Sequence, residues 1–327
     1  MSRGGRGHSM NDHLAKLNRL NWGYRASRVL HVANELDIFT ILGDGEKTVG
    51  ELGRACGALP DMMEKLLIVC AAMGLVEKRG DSYRNTELAS NCLVRGRPQY
   101  QGDIIAHSAA VWGFWHRLPE AMKGGGRRPE LTPELHRTFI LAMHNTAMAG
   151  RVQMFLDNVD LTGRRRLFDV GGGPGTYSIM ACKRYAELEA TIFDIPETIA
   201  IAKEMITAEG VQERVKAREG SWDTDDFGRD NDVVLLSDVM HGPPSDTPMK
   251  LKKARDSMVS GGLLVIQEFL LNDEKTGPLV CALFNMMVGA WSRAELLSLA
   301  AKAGFAGPKI VACDEELGSS WLVARKP

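Results

Sequence analysis

One stretch of the chain combines an acid with a run of glycines. Residues 167–177 read Leu-Phe-Asp-Val-Gly-Gly-Gly-Pro-Gly-Thr-Tyr, so an apolar segment that contains Asp169 opens into a glycine loop. Glycines directly after a buried parallel strand let the backbone adopt positive φ and approach a ligand closely. A helix is predicted from Ser178 to Tyr185, and its free N–H groups could meet a carboxylate or phosphate. The loop is either a cofactor site or a structural turn.

A second acid follows at the distance expected for a ribose ligand. Residues 190–194 read Ala-Thr-Ile-Phe-Asp, a short strand whose last residue, Asp194, lies 25 residues after Asp169. A carboxylate at the tip of the second strand of a βαβ unit can accept hydrogen bonds from ribose hydroxyls. The alternative is that Asp194 only caps a helix predicted from Pro196 to Glu209.

The composition is that of an ordinary globular protein with little net charge. The 327 residues are 44% hydrophobic and 25% charged, and the net charge of −1 gives no field for nucleic acid or an anionic membrane. No apolar run approaches the ~20 residues of a membrane span, and the start lacks the apolar centre of a signal peptide. The six cysteines form no C-x-x-C pair. We therefore expect a cytoplasmic protein that binds neither nucleic acid nor membrane, and no metal.

The first hundred residues are predicted to form a helical domain. Residues 1–10 are rich in Gly and Arg and are expected to be a mobile tail. Residues 11–100 contain helical periodicity, a capping box in which Thr48 precedes Glu51 by three residues, and two short strands around a Gly-Asp turn within residues 75–84. The predicted helices are Asp12–Leu36, Ile38–Leu42 and Pro60–Met73.

This order of helix, helix and hairpin is a winged-helix arrangement. Such a fold often places a helix in the DNA major groove. The predicted second helix has one Lys and no Arg over residues 61–73, whereas a helix that binds in the DNA major groove needs a basic face. A dimerisation role is therefore favoured over DNA binding.

Residues 101–160 are predicted to form a helical connector that lines a substrate pocket, interrupted by a loop at residues 124–129. The connector is locally aromatic, and the alternative is that its aromatic side chains only pack between helices. The candidate pocket residues are Trp112, Trp115, His144 and Asn145, together with Phe284 farther along the chain.

Residues 161–327 follow an α/β pattern. Predicted strands near Leu167, Ala190, Val215, Asp232 and Leu263 alternate with helices, which indicates a parallel sheet. Two β runs at residues 309–313 and 320–324 are close in sequence and predict an antiparallel pair at the sheet edge. The predicted fold is a Rossmann-like domain with a mostly parallel seven-stranded sheet and an antiparallel C-terminal strand, preceded by the helical domain.

The chain resembles the plant-type small-molecule O-methyltransferases that use S-adenosylmethionine, a family that includes caffeic acid O-methyltransferase. Residues 28–39, 48–52 and 72–76 are similar to the dimerisation domain of that family, and residues 169–175 to its cofactor loop. The resemblance covers nearly all of the chain. It implies a class I methyltransferase domain, a homodimer, and the conversion of S-adenosylmethionine to S-adenosylhomocysteine.

The resemblance also implies roles for individual residues near the cofactor. Gly171 and Gly173 would approach its methionine part, after the acid Asp169, and Asp194 would hold its ribose. Where the family usually has Gly-Asp-Phe/Met-Phe, this chain has Gly-Ser-Trp-Asp at 220–223, so the adenine would be bound differently. The remaining cofactor-binding candidates are Ser221, Trp222 and Ser237.

His241 matches the catalytic histidine of the family and would be the general base, since a near-neutral pKa lets it take a proton from a hydroxyl. Its alternative role is a structural histidine. The His-Asp-Trp of the family is His-Gly-Pro at 241–243, and of two carboxylates that orient the base only Glu268 is retained, because the other position falls at Ala290.

The leading hypothesis is O-methylation of a small molecule with His241 as base. Because one carboxylate is lost, S-methylation of a thioether or C-methylation, which depend more on positioning, is the second hypothesis. A cofactor-binding relative with other chemistry and a winged-helix regulator are further alternatives.

Overall fold

The structure is a computed structural model that describes residues 10–125 and 132–327. Residues 1–9, which make up most of the predicted tail, and most of the predicted loop at 124–129 lie outside the described residues. The chain divides into two compact units, Met1–Asn145 and Thr146–Pro327. Within the two described ranges, no helix has the length and apolar character needed to cross a membrane.

The first unit is mainly helical, as predicted. A capping box starts α3, because the Glu51 amide donates to Thr48 Oγ1 over 3.3 Å and the Thr48 amide donates to Glu51 Oε2 over 2.7 Å. Its elements are α1 (Met10–Glu35), α2 (Ile38–Leu42), β1 (Glu46–Thr48), α3 (Val49–Cys56), α4 (Pro60–Ala72), β2 (Val76–Arg79), β3 (Ser82–Asn85), α5 (Glu87–Cys92), α6 (Gly102–Ala110), α7 (Trp112–His116), α8 (Leu118–Ala121) and α9 (Pro133–Thr146).

The hairpin predicted in this unit is present and has a third strand. β2 pairs with β3 in antiparallel register, and β3 also pairs with β1, which the sequence analysis did not predict. β1 has only three residues and its burial does not alternate clearly, so its sequence carries little periodic signal. Apolar side chains of the helices and the hairpin, among them Phe39, Met63 and Tyr83, form one core.

The second unit alternates strands and helices after a kink at Ala149 and Gly150, whose backbone angles are not helical. Its elements are α10 (Val152–Asn158), β4 (Arg166–Val170), α11 (Thr176–Arg184), β5 (Glu189–Asp194), α12 (Pro196–Ala208), β6 (Val215–Glu219), β7 (Asn231–Ser237), α13 (Thr247–Ser257), β8 (Met258–Glu268), α14 (Leu279–Val288), α15 (Arg293–Lys302), β9 (Ala306–Asp314) and β10 (Ser319–Arg325).

These strands form a seven-stranded sheet in the order β6-β5-β4-β7-β8-β10-β9. β6, β5, β4, β7 and β8 are mutually parallel, and β10 runs antiparallel to both β8 and β9. This confirms the predicted fold class. The chain order reverses between β4 and β7, and in such sheets a ligand crevice lies at the carboxyl ends of the two strands that flank the reversal.

Alternate residues of each central strand face two separate cores. Val233 and Leu235 pack on one face of the sheet, whereas Val234 and Leu236 pack on the other. The strands are thus buried on both sides, which explains why their sequences are continuous apolar runs. On the first face, Trp321 stacks on Phe155 at a centroid distance of 4.9 Å.

Candidate active site

The crevice between β4 and β7 is bordered by the glycine loop after β4 and by residues 238–246 after β7. Gly171 has φ of +64°, and a Cβ placed on it would lie 2.6 Å from Val239 Cγ1 and 2.9 Å from Trp222 Cζ3. Only glycine allows both this backbone conformation and this contact. The glycine at 171 therefore lets three loops meet at one edge of the sheet.

Gly173 and Asp194 connect the glycine loop to the tip of β5. The Gly173 amide donates to Asp194 Oδ2 over 2.9 Å, and Asp194 Oδ1 accepts from the Ile195 amide over 2.8 Å. The helix α12 has Ile195 as its N-cap and no side-chain capping bond. Asp194 thus contacts both the glycine loop and the first amide before α12, and its role toward a ribose stays a prediction.

Asp169 is a buried acid at the end of β4. Its Oδ2 accepts a hydrogen bond of 2.7 Å from Ser178 Oγ, while its Oδ1 has no partner among the described residues. Burial raises the pKa of Asp169 to about 7; the Ser178 hydroxyl opposes this rise, and the charge of Asp194 adds to it. An unpartnered carboxylate oxygen beside a second acid suits a cationic ligand. These residues therefore fit the sulfonium cation of the expected S-adenosylmethionine.

Ser221 and Trp222 lie in a turn that follows β6. The Ser221 amide donates to Asp225 Oδ2 over 2.9 Å, and Ser221 Oγ accepts from the Asp223 amide over 3.2 Å. Trp222 is half-buried, and its ring lies 4.4 Å from the ammonium of Lys250. The turn thus presents an indole and a neutral hydroxyl at the edge of the glycine loop, where the resemblance places the adenine.

Ser237 ends β7 beside a group of buried polar side chains. The amide nitrogen of Gln267 donates to Ser237 Oγ over 2.8 Å and to Asp238 Oδ2 over 3.0 Å. Arg151, which is 2% exposed, pairs with Asp238 Oδ2 over 3.0 Å and donates to the Leu317 carbonyl over 2.8 Å. Burial raises the pKa of Asp238 to about 6, while the charge of Arg151 lowers it.

His241 lies three residues beyond Asp238 and contacts Glu268 at the end of β8. His241 Nδ1 is 3.3 Å from Glu268 Oε2, and Glu268 Oε1 accepts from the Met240 amide over 2.6 Å. A carboxylate at Nδ1 holds the proton on that nitrogen and leaves Nε2 free to accept one. Glu268 therefore fixes the tautomer that a general base needs.

The surroundings of His241 act on its pKa in opposite directions. Burial lowers this pKa, whereas the hydrogen bond and charge of Glu268 and the charge of Asp238 raise it, and the net shift is upward. Because a base must be unprotonated to act, a raised pKa means that the neutral form is lost as the pH falls through a value above the usual 6.5 of histidine.

Phe284 packs against the candidate base. Its ring meets the His241 ring edge-on at a centroid distance of 5.1 Å and stacks on Phe269 at 4.0 Å. The guanidinium of Arg151 lies 4.4 Å from the centroid of the Phe269 ring. Of the candidate pocket residues, Phe284 is thus the one that lies beside His241.

The other candidate pocket residues belong to the first unit. Trp112 is half-buried and meets His31 edge-on, and Trp115 meets Phe114 edge-on at 5.3 Å. His144 is half-buried, and Asn145 is 3% exposed. The Asn145 side-chain oxygen accepts from the amides of residues 103 and 104 at the start of α6, so it stabilises that helix terminus.

Gly242 and Ala290 are two of the positions where the chain differs from the pattern that the resemblance implies. Gly242 has φ of 55° and ψ of −171°, a conformation that is essentially restricted to glycine. A Cβ on it would lie 2.9 Å from the Ala290 amide nitrogen and 3.2 Å from the Gly289 carbonyl carbon. The backbone of residues 289–290 therefore fills the space where a side chain at 242 would lie.

The sequence analysis missed Arg151, Asp238, Gln267 and Lys250. Lys250 lies on α13 beside two other lysines, so the segment resembled a solvated face. The buried positions of this helix are Thr247, Lys250, Leu251, Ala254 and Ser257. That helical spacing was the available signal, because it places the lysine on the apolar face.

Comparison with known proteins gives two matches to family models. Residues 130–306 match the O-methyltransferase domain, and residues 19–95 match the O-methyltransferase dimerisation domain. Together the two models span most of the chain and cover both units.

Individual proteins agree with the family models. The chain is 33% identical over 297 residues to 3-hydroxy-5-methyl-1-naphthoate 3-O-methyltransferase of Streptomyces sahachiroi, covering 85% of this chain and 84% of that one. It is 30% identical to acetylserotonin O-methyltransferase of Bos taurus, over 86% of this chain and 90% of that one. The crystal structure of human N-acetylserotonin methyltransferase in complex with SAM has a TM-score of 0.86, 25% identity and 99% coverage of both chains.

The backbone at Gly242 predicts a stability effect. We expect Gly242→Ala to lower the free energy of unfolding by about 1–3 kcal/mol or more. The added methyl group would be strained by the φ and ψ angles and would also clash with the backbone of residues 289–290. Urea unfolding measures this loss. Gly210→Ala is the control, since Gly210 also has positive φ but nothing lies within 4 Å of the added atom. Equal losses in the two variants would contradict the contact.

The contact between Glu268 and His241 predicts a change in titration. We expect Glu268→Gln to lower the pKa of His241, because it removes the carboxylate that raises this pKa and leaves burial, which lowers it. NMR titration of the imidazole carbons measures the shift. Glu209→Gln is the control, since Glu209 pairs with Lys183 at the end of α12. An unchanged or higher pKa in Glu268→Gln would show that the carboxylate does not act on the imidazole.

Proposed function

The chain belongs to the O-methyltransferase family, and from this premise we propose that it methylates a hydroxyl group on an aromatic small molecule, with His241 as general base. It is a methyltransferase that uses S-adenosylmethionine. The observation that carries the proposal is the pairing of His241 Nδ1 with the buried carboxylate of Glu268 beside the crevice of the sheet. Named relatives that act on a hydroxynaphthoate and on acetylserotonin support the class of acceptor.

We assign the donor site to the residues around the glycine loop. When bound, S-adenosylmethionine supplies a methyl group activated by a sulfonium cation. Asp194, already fixed by the Gly173 amide, accepts from ribose hydroxyls, and the open carboxylate oxygen of Asp169 stabilises positive charge nearby. The Trp222 ring offers a face for the adenine. Gly171, Ser221 and Ser237 complete the set proposed from the sequence.

The acceptor would supply a hydroxyl oxygen that takes the methyl group from the bound donor. His241 Nε2 takes the hydroxyl proton as the oxygen–carbon bond forms and the carbon–sulfur bond breaks, so the imidazole gains the positive charge that the donor loses. Glu268 then neutralises the imidazolium at Nδ1. A general base contributes ~10²–10⁴ in rate, about 3 to 5 kcal/mol, whereas positioning contributes about 7–11 kcal/mol.

Among the possible acceptor atoms, oxygen has the most support. Family membership and the names of the relatives support oxygen as the acceptor atom, and the retained pair of His241 and Glu268 supports a reaction that removes a proton. S-methylation or C-methylation would need positioning but no base at His241. A winged-helix regulator has no support in these comparisons, because the first unit matches a dimerisation domain.

The role of the base is tested by His241→Ala. We expect kcat to fall by about 10²–10⁴-fold while the dissociation constant for S-adenosylmethionine changes little, because the side chain acts on the acceptor proton. Isothermal titration gives the donor affinity, and methyl transfer to a panel of hydroxylated aromatic compounds gives kcat. His13→Ala, at an exposed position on α1, is the control.

Two results would count against the proposal. If the wild-type protein binds the donor but methylates no hydroxyl in the panel, the acceptor class is wrong. If His241→Ala keeps most of the wild-type kcat, the histidine is not the base and the thioether or carbon acceptors of the second hypothesis become the better explanation.

We also propose that the protein is a homodimer. The match to the dimerisation domain supports this proposal, as do large apolar side chains that are exposed along α1 of the single chain. They are Leu14, Leu17, Leu20, Trp22 and Tyr24. A second copy that covers them would remove this apolar area from water.

A charge within this surface tests the dimer. Leu20 is 66% exposed in the single chain, so Leu20→Asp should leave the fold of one chain unchanged but weaken the dimer by about tenfold or more, because it would bury a carboxylate. Sedimentation velocity measures the dimer, and Arg19→Asp, at an exposed position on the opposite side of the same helix, is the control. A wild-type protein that sediments as a monomer at micromolar concentration would exclude the dimer.

A further inference from the structure

Lys250 is a lysine whose ammonium is buried instead of exposed. The residue is 3% exposed, on the inner face of α13. Its Nζ donates to the Val239 carbonyl and to the Ser245 carbonyl, each over 2.7 Å. None of the described carboxylates forms an ion pair with it. Burying an unpaired ammonium is costly, so its contacts with these two carbonyls must offset a substantial loss of hydration.

The two carbonyls flank the candidate base. Val239 precedes His241 by two residues and Ser245 follows it by four, so one ammonium closes the loop that carries the histidine. Ser245 Oγ also donates to the Gly242 carbonyl over 2.9 Å within this loop. Residues 242–243 are glycine and proline, which offer no side-chain hydrogen bonds of their own to fix the loop. Lys250 therefore adds a contact across the loop to those made by Ser245 and Glu268.

The same ammonium also contacts Trp222, in the turn after β6 that is proposed to face the adenine of the donor. It lies 4.4 Å from the centroid of the Trp222 ring, within the range of a cation–π interaction. A Cβ on Gly171 would lie 2.9 Å from that ring, so Trp222 is held between Lys250 and the glycine loop. One buried charge thus contacts both the loop of the base and the ring proposed to face the adenine.

We propose that Lys250 is a positioning residue that fixes the His241 loop and the Trp222 ring relative to each other, so that the base and the methyl donor are held in one geometry. This inference rests on the proposed function. The ammonium touches neither reacting atom and takes no proton in the reaction. Its effect passes through two carbonyl groups and one aromatic face.

The charge of Lys250 also acts on the base directly. The charged groups that face His241 are Glu268 from β8, Asp238 from its own loop and Lys250 from α13. Burial lowers the pKa of His241, Glu268 and Asp238 raise it, and Lys250 lowers it. Removing the ammonium should therefore raise this pKa, so that the histidine loses its neutral form at a higher pH than in the wild-type protein.

A second set of charges acts on the lysine. Burial lowers the pKa of Lys250, while the carboxylates of Glu268, Asp223 and Asp246 raise it. Glu268 ends β8, Asp223 lies in the turn after β6, and Asp246 directly precedes α13. Their charge favours the protonated form, which is the form that donates to both carbonyls.

The test compares Lys250→Met, Lys250→Gln and Lys250→Arg with the wild-type protein. For Lys250→Met we expect kcat to fall by about 10- to 100-fold, because a small displacement of the base has an effect of this size. The dissociation constant for S-adenosylmethionine, measured by quenching of tryptophan fluorescence, should rise several-fold. The acid limb of the kcat/KM profile should move to higher pH. Lys250→Arg should recover much of kcat and restore the acid limb.

Lys250→Gln and one control variant separate a specific effect from a loss of folding. Lys250→Gln removes the charge but keeps an amide donor, so it should shift the acid limb even if Lys250→Met does not fold. Lys252→Met is the matched control, since Lys252 is exposed on the same helix and pairs with Asp256. The control should retain the wild-type kcat, donor affinity and pH profile.

The inference would be overturned if Lys250→Gln kept both the donor affinity and the acid limb of the wild-type protein, whatever its thermal stability. It would also be overturned if Lys250→Arg failed to recover activity while Lys250→Gln did. Failure of the proposed function is a separate result, because the donor affinity and the NMR titration of His241 can be measured without any acceptor.

Discussion

Glu268 is a buried carboxylate that must be satisfied by groups from a neighbouring loop. It is 2% exposed and accepts hydrogen bonds from the Met240 amide and from His241 Nδ1. The parallel register of β7 and β8 pairs Ser237 with Gln267, so the loop after one strand lies beside the last residue of the other. Because an unpartnered charge would be costly at this depth, the loop is held where its amide and imidazole reach the carboxylate. The site depends on this constraint.

The donor side of the crevice is organised by a complementary arrangement of charge. Asp169 and Asp194 place two carboxylates at the ends of adjacent parallel strands, and the glycine loop brings its backbone amides between them. The acids lie close enough for one to raise the pKa of the other. A cationic donor bound beside them, as proposed above, would relieve this repulsion, whereas the neutral thioether that remains after transfer would not.

The loop of His241 departs from the pattern of the resembled family at Gly242, and the segment that packs on it departs at Ala290. Gly242 allows the backbone of residues 289–290 to approach its own backbone closely. Lys250 and Ser245 then hold the loop through carbonyl groups. Orientation of the imidazole thus depends on Glu268 and on a backbone held in place, with fewer side-chain contacts than a second carboxylate would give.

Local pattern was sufficient to predict the sheet, the helices, the glycine loop and the acids at its edge, since periodicity and residue type report burial and backbone conformation directly. The resemblance supplied the candidate base and its remaining carboxylate. β1 was missed because its three residues carry almost no periodicity. The sequence could not separate the two roles of Asp194, since both need an acid at the same position, and it could not show the bond that this acid accepts from the Gly173 amide.

The sequence by itself determined the fold class, the order of strands and helices, and which residue types could bind a cofactor. Only the tertiary structure decided which of these groups meet. Arg151 and Asp238 are 87 residues apart, and Lys250 lies on α13 whereas Trp222 lies in the turn after β6, yet each pair is in contact. Such contacts depend on the register and order of the strands. The burial that raises the pKa values of Asp169 and Asp238 also exists only in the assembled sheet.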